Sequence, residues 1–242
     1  MIDGVHAPTP GAGPGPSLVV ADLEGTLTSG ETWRGVGAWL SQNGRRGRYR
    51  CFLAPRLAAL PLVRLGLVSR QAFRDRWIRD LARLLDGLAL ADVARLAEEV
   101  VERQLWPGRR SSVIAELEAA LAAGSRVAIA SGTYQPVLDA FISRLSVGPA
   151  GAVVGLGTPL QWADGRTTGR LAGPIGTGRR KAQRVRAWSG GERLAAAYGD
   201  SLADVAMLEM ALIPVAVAPD ADLRPLATRR GWRILDAHAG DV

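Results

Sequence analysis

Four places in this chain carry side chains suited to moving a phosphoryl group. An apolar run over 17–25, SLVVADLEG, ends in Asp22 and Glu24, and RVAIASGT over 126–133 ends in Ser131-Gly132-Thr133. A third run, LAAAYGD over 194–200, leads into Asp200-Ser201, with Asp204 one helical turn beyond and Lys181 in the helical pattern before it. Phosphoryl transfer needs charge neutralisation and positioning more than covalent chemistry from the protein. These groups supply carboxylates for a divalent cation, a nucleophile, hydroxyl and backbone donors, and a cation for the phosphoryl oxygens. Asp22 can attack phosphorus while its other oxygen contacts the metal, giving an acyl phosphate that water hydrolyses. A carboxylic acid two residues on, Glu24, reaches the same cavity if the backbone turns after the strand. There it could protonate the leaving alkoxide and later activate water. Ser131 and neighbouring N–H groups, including that of Gly132, would bind phosphoryl oxygens. Mg²⁺ takes oxygen ligands and keeps waters, so two carboxylates and a carbonyl suffice to hold it.

The elements that must position these groups follow from the hydrophobic pattern. The three runs read as buried strands, and GAVVG (151–155), PVAVAPD (214–220) and WRILD (232–236) repeat the pattern. Helical patterns lie between them. Over 111–123, Val113, Leu117, Ala120 and Leu121 share a face, and Gly124 supplies a stop; 134–145 places Val137, Leu138, Phe141, Ile142 and Leu145 likewise. Strands alternating with helices predict an α/β fold with a parallel sheet covered on both faces. Ligands of such sheets bind at the carboxyl ends of the strands, where all four places converge. Residues 30–106 break the alternation with helical stretches at roughly 33–43, 48–67, 69–86 and 89–105, returning at Trp106-Pro107-Gly108. Residues 157–171 alternate around Asp164-Gly165, a hairpin signal. The expected organisation is a core over 17–29 and 107–242, a helical insertion over 30–106, and a disordered Pro/Gly-rich leader over 1–16.

Charge is unevenly spread. The net +7 of the chain sits almost wholly in 30–106, where 14 Arg face 8 acids. An anionic substrate, an acidic membrane surface or a nucleic acid would each suit such a segment. Of the 30 basic residues, 29 are Arg and one is Lys181, which marks a place where a compact ammonium is needed. The single cysteine, Cys51, allows no intramolecular disulfide and fits a cytoplasmic setting.

DLEGTLT (22–28), SGT (131–133), Lys181 and GDSLAD (199–204) resemble, in order, the four signature motifs of the haloacid-dehalogenase-like phosphatases. The resemblance spans about 17–237 and implies a Rossmann-like sheet with a helical cap inserted after the first strand. It implies Asp22 as nucleophile, Glu24 as acid and base, and phosphate binding by Ser131 and Lys181. Mg²⁺ would sit on Asp22, the Glu24 carbonyl and Asp200, with Asp204 a further ligand or an orienting group. The insertion, and the hairpin followed by TGRLAG (168–173), are similar to the phosphoserine-phosphatase-like branch. In that branch a Glu nine residues after the nucleophile contacts the substrate amino group, here Glu31. A cap Arg contacts its carboxylate, and AFRDRW (72–77) offers Arg76, with Arg74 as the alternative.

The implied activity is Mg²⁺-dependent hydrolysis of a small anionic phosphomonoester, with phosphoserine the leading candidate. Two departures qualify the match: Glu24 replaces the usual second Asp, and Ala203 stands where phosphoserine phosphatases usually have Asn. A catalytically degenerate phosphate- or partner-binding member of the same fold is therefore the alternative. No zinc-ligand pattern or aromatic-and-basic RNA motif supports nucleic-acid binding. The apolar, arginine-interrupted segment 48–68 reads chiefly as a cap helix whose prolines, Pro55 and Pro61, argue against one straight helix. A membrane-surface role for it is the minor alternative.

Overall fold

The structure, a computed structural model, describes residues 17–145 and 151–236; the leader expected over 1–16 lies outside them. Its strands are β1 (Leu18–Ala21), β2 (Arg126–Tyr134), β3 (Val153–Thr158), β4 (Leu160–Ala163), β5 (Arg166–Leu171), β6 (Leu194–Gly199), β7 (Ala211–Val217) and β8 (Arg233–Leu235). Six of them form one sheet in the order β3-β2-β1-β6-β7-β8, every pair parallel, and β4-β5 form a separate antiparallel hairpin.

Successive residues of a strand point to opposite faces, so a doubly covered sheet needs apolar residues at every position. In β1, Val19 and Ala21 enter one core layer while Leu18 and Val20 enter the other. Helices α5 (Ser111–Ala122) and α6 (Gln135–Ile142) cover the first face through Val113, Leu117, Val137 and Phe141. The second face is closed by Val185 of α7 (Gly178–Trp188), Leu208 of the short α8 (Val205–Leu208) and Leu223 of α9 (Leu223–Arg229). From β1 the chain builds outward to β2 and β3, then returns to build β6, β7 and β8 on the other side. The order reverses between β1 and β6, so the crevice opens at their carboxyl ends.

Between β1 and α5 lie α1 (Thr32–Gln42), α2 (Arg46–Arg64), α3 (Arg70–Ala82) and α4 (Leu90–Val100). Val36 and Leu40 of α1 and Leu96 and Val100 of α4 share the first core layer with the sheet. An aromatic group ties α1, α2 and α3: the ring of Trp77 meets Trp33, Phe52 and Phe73 edge-on at 5.2, 5.6 and 5.7 Å. The hairpin docks on this helical segment through Thr167, whose N–H donates to Leu88 O at 2.9 Å and whose hydroxyl donates to Leu85 O at 2.5 Å.

The helical stretch expected over roughly 48–67 is present as α2, while the ends of other elements shift. Helix α2 runs unbroken through Pro55 and Pro61. The two carbonyls that lose a donor, four residues earlier on Cys51 and Leu57, belong to exposed residues, so no buried group is orphaned. Strand β7 begins at Ala211, three residues before the run read from the sequence, because Ala211 and Ile213 are in register with Leu194 and Ala196 of β6, although Leu212 and Ile213 are exposed. The helix expected to reach 105 ends as α4 at Val100 and continues as a wider π-helical turn over 101–105. There Trp106 N–H donates to Val101 O at 2.7 Å, just before Pro107.

Candidate active site

Asp22 follows β1 directly, its N–H donating to Tyr198 O of β6 at 3.0 Å. The chain then folds into a tight turn: Leu27 and Thr28 N–H donate to Leu23 O at 2.8 and 3.1 Å, and Gly25 N–H to Thr28 O at 2.7 Å. Glu24 lies in this turn, and its Oε1 accepts from Thr32 N–H at the start of α1 at 3.3 Å. Arg110 braces the turn from outside, its Nη1 donating to Gly25 O at 2.5 Å and to Thr26 O at 3.4 Å.

On the far side of the crevice, β6 ends at Gly199 and the chain enters a 3-10 turn over 202–204. Asp204 organises that turn. Its Oδ2 accepts from Ser201 Oγ at 3.0 Å, Ser201 N–H at 3.2 Å and Asp200 N–H at 3.4 Å. Asp200 in turn accepts from Thr26 Oγ1 at 3.3 Å. Helix α7 delivers Lys181 between the two strand ends, with Nζ 2.6 Å from Asp22 Oδ1 and 2.6 Å from Asp204 Oδ1. Asp22, Lys181 and Asp204 are all buried.

Ser131 is buried in the last part of β2, at the irregularity between Ala130 and Tyr134, and its Oγ accepts from Thr133 N–H at 3.2 Å. Gly132 is where the sheet meets the inserted helices. A Cβ there would lie 2.7 Å from Thr177 Cγ2 and 3.3 Å from Ile78 Cδ1 of α3, so a side chain would wedge the two apart. Close by, Thr177 Oγ1 donates to Asp75 Oδ1 of α3 at 2.7 Å and accepts from Gln71 Nε2 at 2.6 Å.

Electrostatics set the protonation of this group. Burial pushes Asp22 up, partly opposed by Lys181 and reinforced by the charge of Asp204. Burial, then the charges of Asp22 and Asp204, raise Asp200 to about 8. Burial would raise Asp204 too, but the Lys181 charge and the hydrogen bonds from Lys181 and Ser201 outweigh it and hold it below the ordinary value. Lys181 loses to burial and gains more from Asp204 and Asp22, so it stays firmly protonated. Burial raises Glu24 to about 7, tempered by hydrogen bonds from Thr32, whose N–H lies 3.3 Å from Oε1.

Carboxylate oxygens of Asp22, Asp200 and Asp204 lie within 4.8 Å of one another. Against these three acids stand Lys181 and, acting on Asp200, Arg110, so the ionised group is net acidic. An all-oxygen donor set with a surplus of negative charge fits a hard divalent cation such as Mg²⁺. Both oxygens of Asp204 accept from Lys181 or the 200–201 turn, and Asp204 thereby ties Lys181 to the turn that carries Asp200.

The sequence-derived residues thus divide. Asp22, Glu24, Ser131, Gly132, Lys181, Asp200 and Asp204 come to the carboxyl edge of the sheet. Glu31, at the start of α1, pairs with Arg34 but stands close enough for its charge to raise Glu24. Arg76 is not brought to the cluster: its side chain is 78% exposed and its Nε lies 3.6 Å from Asp80 Oδ2. Arg74 is exposed as well. A cationic cavity of about 610 Å³ opens instead between α3, β5 and α7, lined by Arg79, Arg83, Arg170 and Arg180 and by none of the clustered carboxylates. Sequence reasoning also passed over Arg110, one arginine among 29 with no distinguishing signal, and Thr177, whose place just before α7 was its only clue.

A family model for haloacid dehalogenase-like hydrolases matches residues 19–209. Phosphoserine phosphatase SerB1 of Mycobacterium tuberculosis is 36% identical over 166 residues, 65% of this chain and 51% of that protein. The chain thus spans about half the length of the first curated relatives it matches. A Bordetella pertussis protein of unknown function superposes with a TM-score of 0.75 at 24% identity, covering 91% of this chain and 98% of its own. The apo form of a phosphoserine phosphatase superposes with a TM-score of 0.60 at 15% identity, covering 93% and 95%.

Proposed function

This chain belongs to the haloacid dehalogenase-like hydrolases, and we propose that it is a Mg²⁺-dependent phosphomonoesterase that works through an acyl phosphate on Asp22. The observation that carries this reading is the placement of one buried ammonium, Lys181, between Asp22 and Asp204 beside a third carboxylate, Asp200. Such a group is costly to bury without a cation and a phosphoryl ligand to balance it.

Asp22 and Asp200, with the Glu24 main-chain carbonyl, would hold Mg²⁺. The ion supplies positive charge that keeps the two acids ionised and offsets the charge of the phosphoryl oxygens. Ser131 Oγ, the neighbouring N–H groups and Lys181 Nζ hold the phosphoryl oxygens so that phosphorus faces the free oxygen of Asp22. That oxygen forms the new bond to phosphorus while the ester P–O bond breaks. The protonated Glu24 carboxyl passes its proton to the departing alkoxide, giving the free alcohol. In the second half, Glu24 carboxylate takes a proton from water, which attacks the acyl phosphate, releasing inorganic phosphate and Asp22 carboxylate. A Glu24 carboxyl held near 7 can exchange a proton in both directions at neutral pH.

Phosphoserine is the leading substrate, supported by the motif resemblance, the name of the mycobacterial relative and Glu31 beside Glu24. The cations available to a substrate carboxylate are those of the cavity at Arg79 and Arg180 rather than Arg76. Phosphate release from a panel of phosphoamino acids, sugar phosphates, nucleotides and lipid phosphates tests both levels. Mg²⁺-dependent release that phosphoserine supports best is expected. No release from any member, with Mg²⁺ present, would end the reading.

A further inference from the structure

Helix α2 is apolar on two opposite faces. Its inward face carries the buried Phe52 and Val63, with Phe52 packed against Trp77 of α3. An ordinary surface helix is polar on the opposite side. Here that side carries Ala54, Pro55, Ala58, Pro61, Leu62 and Leu65, spaced three and four apart along one stripe, and all six are exposed. Leu57 and Leu67 flank the stripe at 46% and 71% exposure, and Leu65 reaches 73%. Half of the eight large exposed hydrophobics among the described residues therefore lie within 57–67. A patch this concentrated is a contact surface rather than the scatter normal on a monomer.

The charge around it narrows the choice of partner. From Thr32 to Arg74 the sequence contains nine arginines and no acid. Arg34, Arg56 and Arg70 pair with acids outside that stretch. Arg46, Arg48 and Arg50, on the first turns of α2, are exposed and form no ion pair among the described residues. Packing a second copy against this stripe would bring two arginine-rich, acid-free surfaces together, which like charge opposes. An apolar stripe bordered by arginines instead matches the acyl boundary and phosphate layer of an anionic bilayer, where apolar burial and charge act together. Among the described residues no helix is long and apolar enough to cross a membrane, and α2 offers a bilayer one exposed face.

We propose that the outer face of α2 docks the protein on anionic lipid bilayers, with Leu62 and Leu65 entering the acyl boundary and Arg46, Arg48 and Arg50 contacting lipid phosphates. The proposal does not depend on the catalytic reading, because binding is measured without turnover.

Cys51 is the only cysteine, is exposed, and lies three residues before Ala54 on the same stripe, so a polarity-sensitive dye attached there reports on this face alone. The full chain should sediment with phosphatidylcholine vesicles containing phosphatidylglycerol at low salt, with the dye emission shifting to the blue. Partitioning to pure phosphatidylcholine should be weaker by about tenfold or more. Leu62→Asp with Leu65→Asp, and separately Arg46→Glu with Arg48→Glu and Arg50→Glu, should each lower partitioning by about tenfold or more. Because all five positions are exposed or solvent-facing, thermal melting of both variants should match that of the unaltered chain. Three results would overturn the proposal: no binding to anionic vesicles at low salt, binding without a dye shift, or binding unchanged in either variant. A concentration-dependent dimer that Leu65→Asp dissolves, without lipid binding, would assign the face to a second copy instead.

Discussion

The α-carbon of Gly25 faces the carboxylate of Asp200 so closely that a methyl group at position 25 would overlap its Oδ2 and Cγ. Gly25 also holds φ +92°, a conformation that side chains rarely adopt. The glycine therefore fixes where Asp200 can stand, and the turn after Asp22 and the turn after β6 are fitted to each other.

Gly25→Ala tests this directly. Strain at position 25 should cost about 1–3 kcal/mol of stability. Displacement of Asp200 should weaken Mg²⁺ binding, read as a rise of about tenfold or more in the Mg²⁺ concentration giving half-maximal phosphate release. A Mg²⁺ dependence unchanged from the parent would separate Gly25 from the metal site.

Asp22→Asn should abolish turnover while leaving the fold intact, because the amide is isosteric. Trapping of the parent with beryllium fluoride should require both Mg²⁺ and Asp22, detectable by intact-protein or fluorine spectroscopy. Turnover at the parental rate in the asparagine variant would exclude the acyl phosphate.

Lys181 lies 2.6 Å from each of two carboxylates and is buried, so a planar guanidinium has no room to replace it without moving one of them. Lys181→Arg should lose at least about tenfold in kcat, or roughly 1.4 kcal/mol of barrier. Lys181→Met should lower stability by about 3 kcal/mol or more in chelator, since Asp22 and Asp204 are left without their ammonium, and Mg²⁺ should restore part of it. Melting curves with and without Mg²⁺ give the readout.

Glu24, held near 7 chiefly by burial, loses its proton as pH rises through that value. With an alkyl phosphate, whose leaving group needs protonation, kcat/KM should fall above about pH 7. Glu24→Gln should remove that limb and lose more activity on the alkyl phosphate than on an aryl phosphate. Equal losses on both would take Glu24 out of proton transfer.

Away from the site, Glu116 of α5 accepts from Arg233 Nη1 at 2.8 Å and from Tyr198 Oη at 2.8 Å. Burial would raise its carboxyl, but the hydrogen bonds from Arg233 and Tyr198 hold it below its ordinary 4.5. A depressed folded value means stability present above pH 4.5 and lost as pH falls through the lower folded value. Glu116→Gln should therefore cost about 0.5–1.5 kcal/mol at neutral pH, with the deficit shrinking as pH falls below 4.5 in denaturant titrations.

By itself the sequence determined the sheet and the convergence of the chemistry on it. LVVA (18–21) and LAAA (194–197) are apolar at every position, as strands buried on both faces require, and such strands run parallel with their carboxyl ends at one edge. Asp22 and Asp200 were therefore bound to the same edge of the sheet, and the pairing of β1 with β6 made them neighbours. Which of the many arginines matter was not determined locally. Arg110, just before α5, and Arg76, inside α3, share one chemistry, yet one braces the Gly25 turn and the other faces solvent. Their fates depend on contacts between segments far apart in the chain, as does the 159-residue separation between Lys181 and Asp22. Helix α2 shows the same division. Its prolines argued against one straight helix, and the chain stays helical through both, with Phe52 packed against Trp77 and the residues four before each proline exposed. Periodicity encodes which face of an element is apolar; only the packed structure decides which neighbour covers that face, and on α2 it leaves one apolar face uncovered.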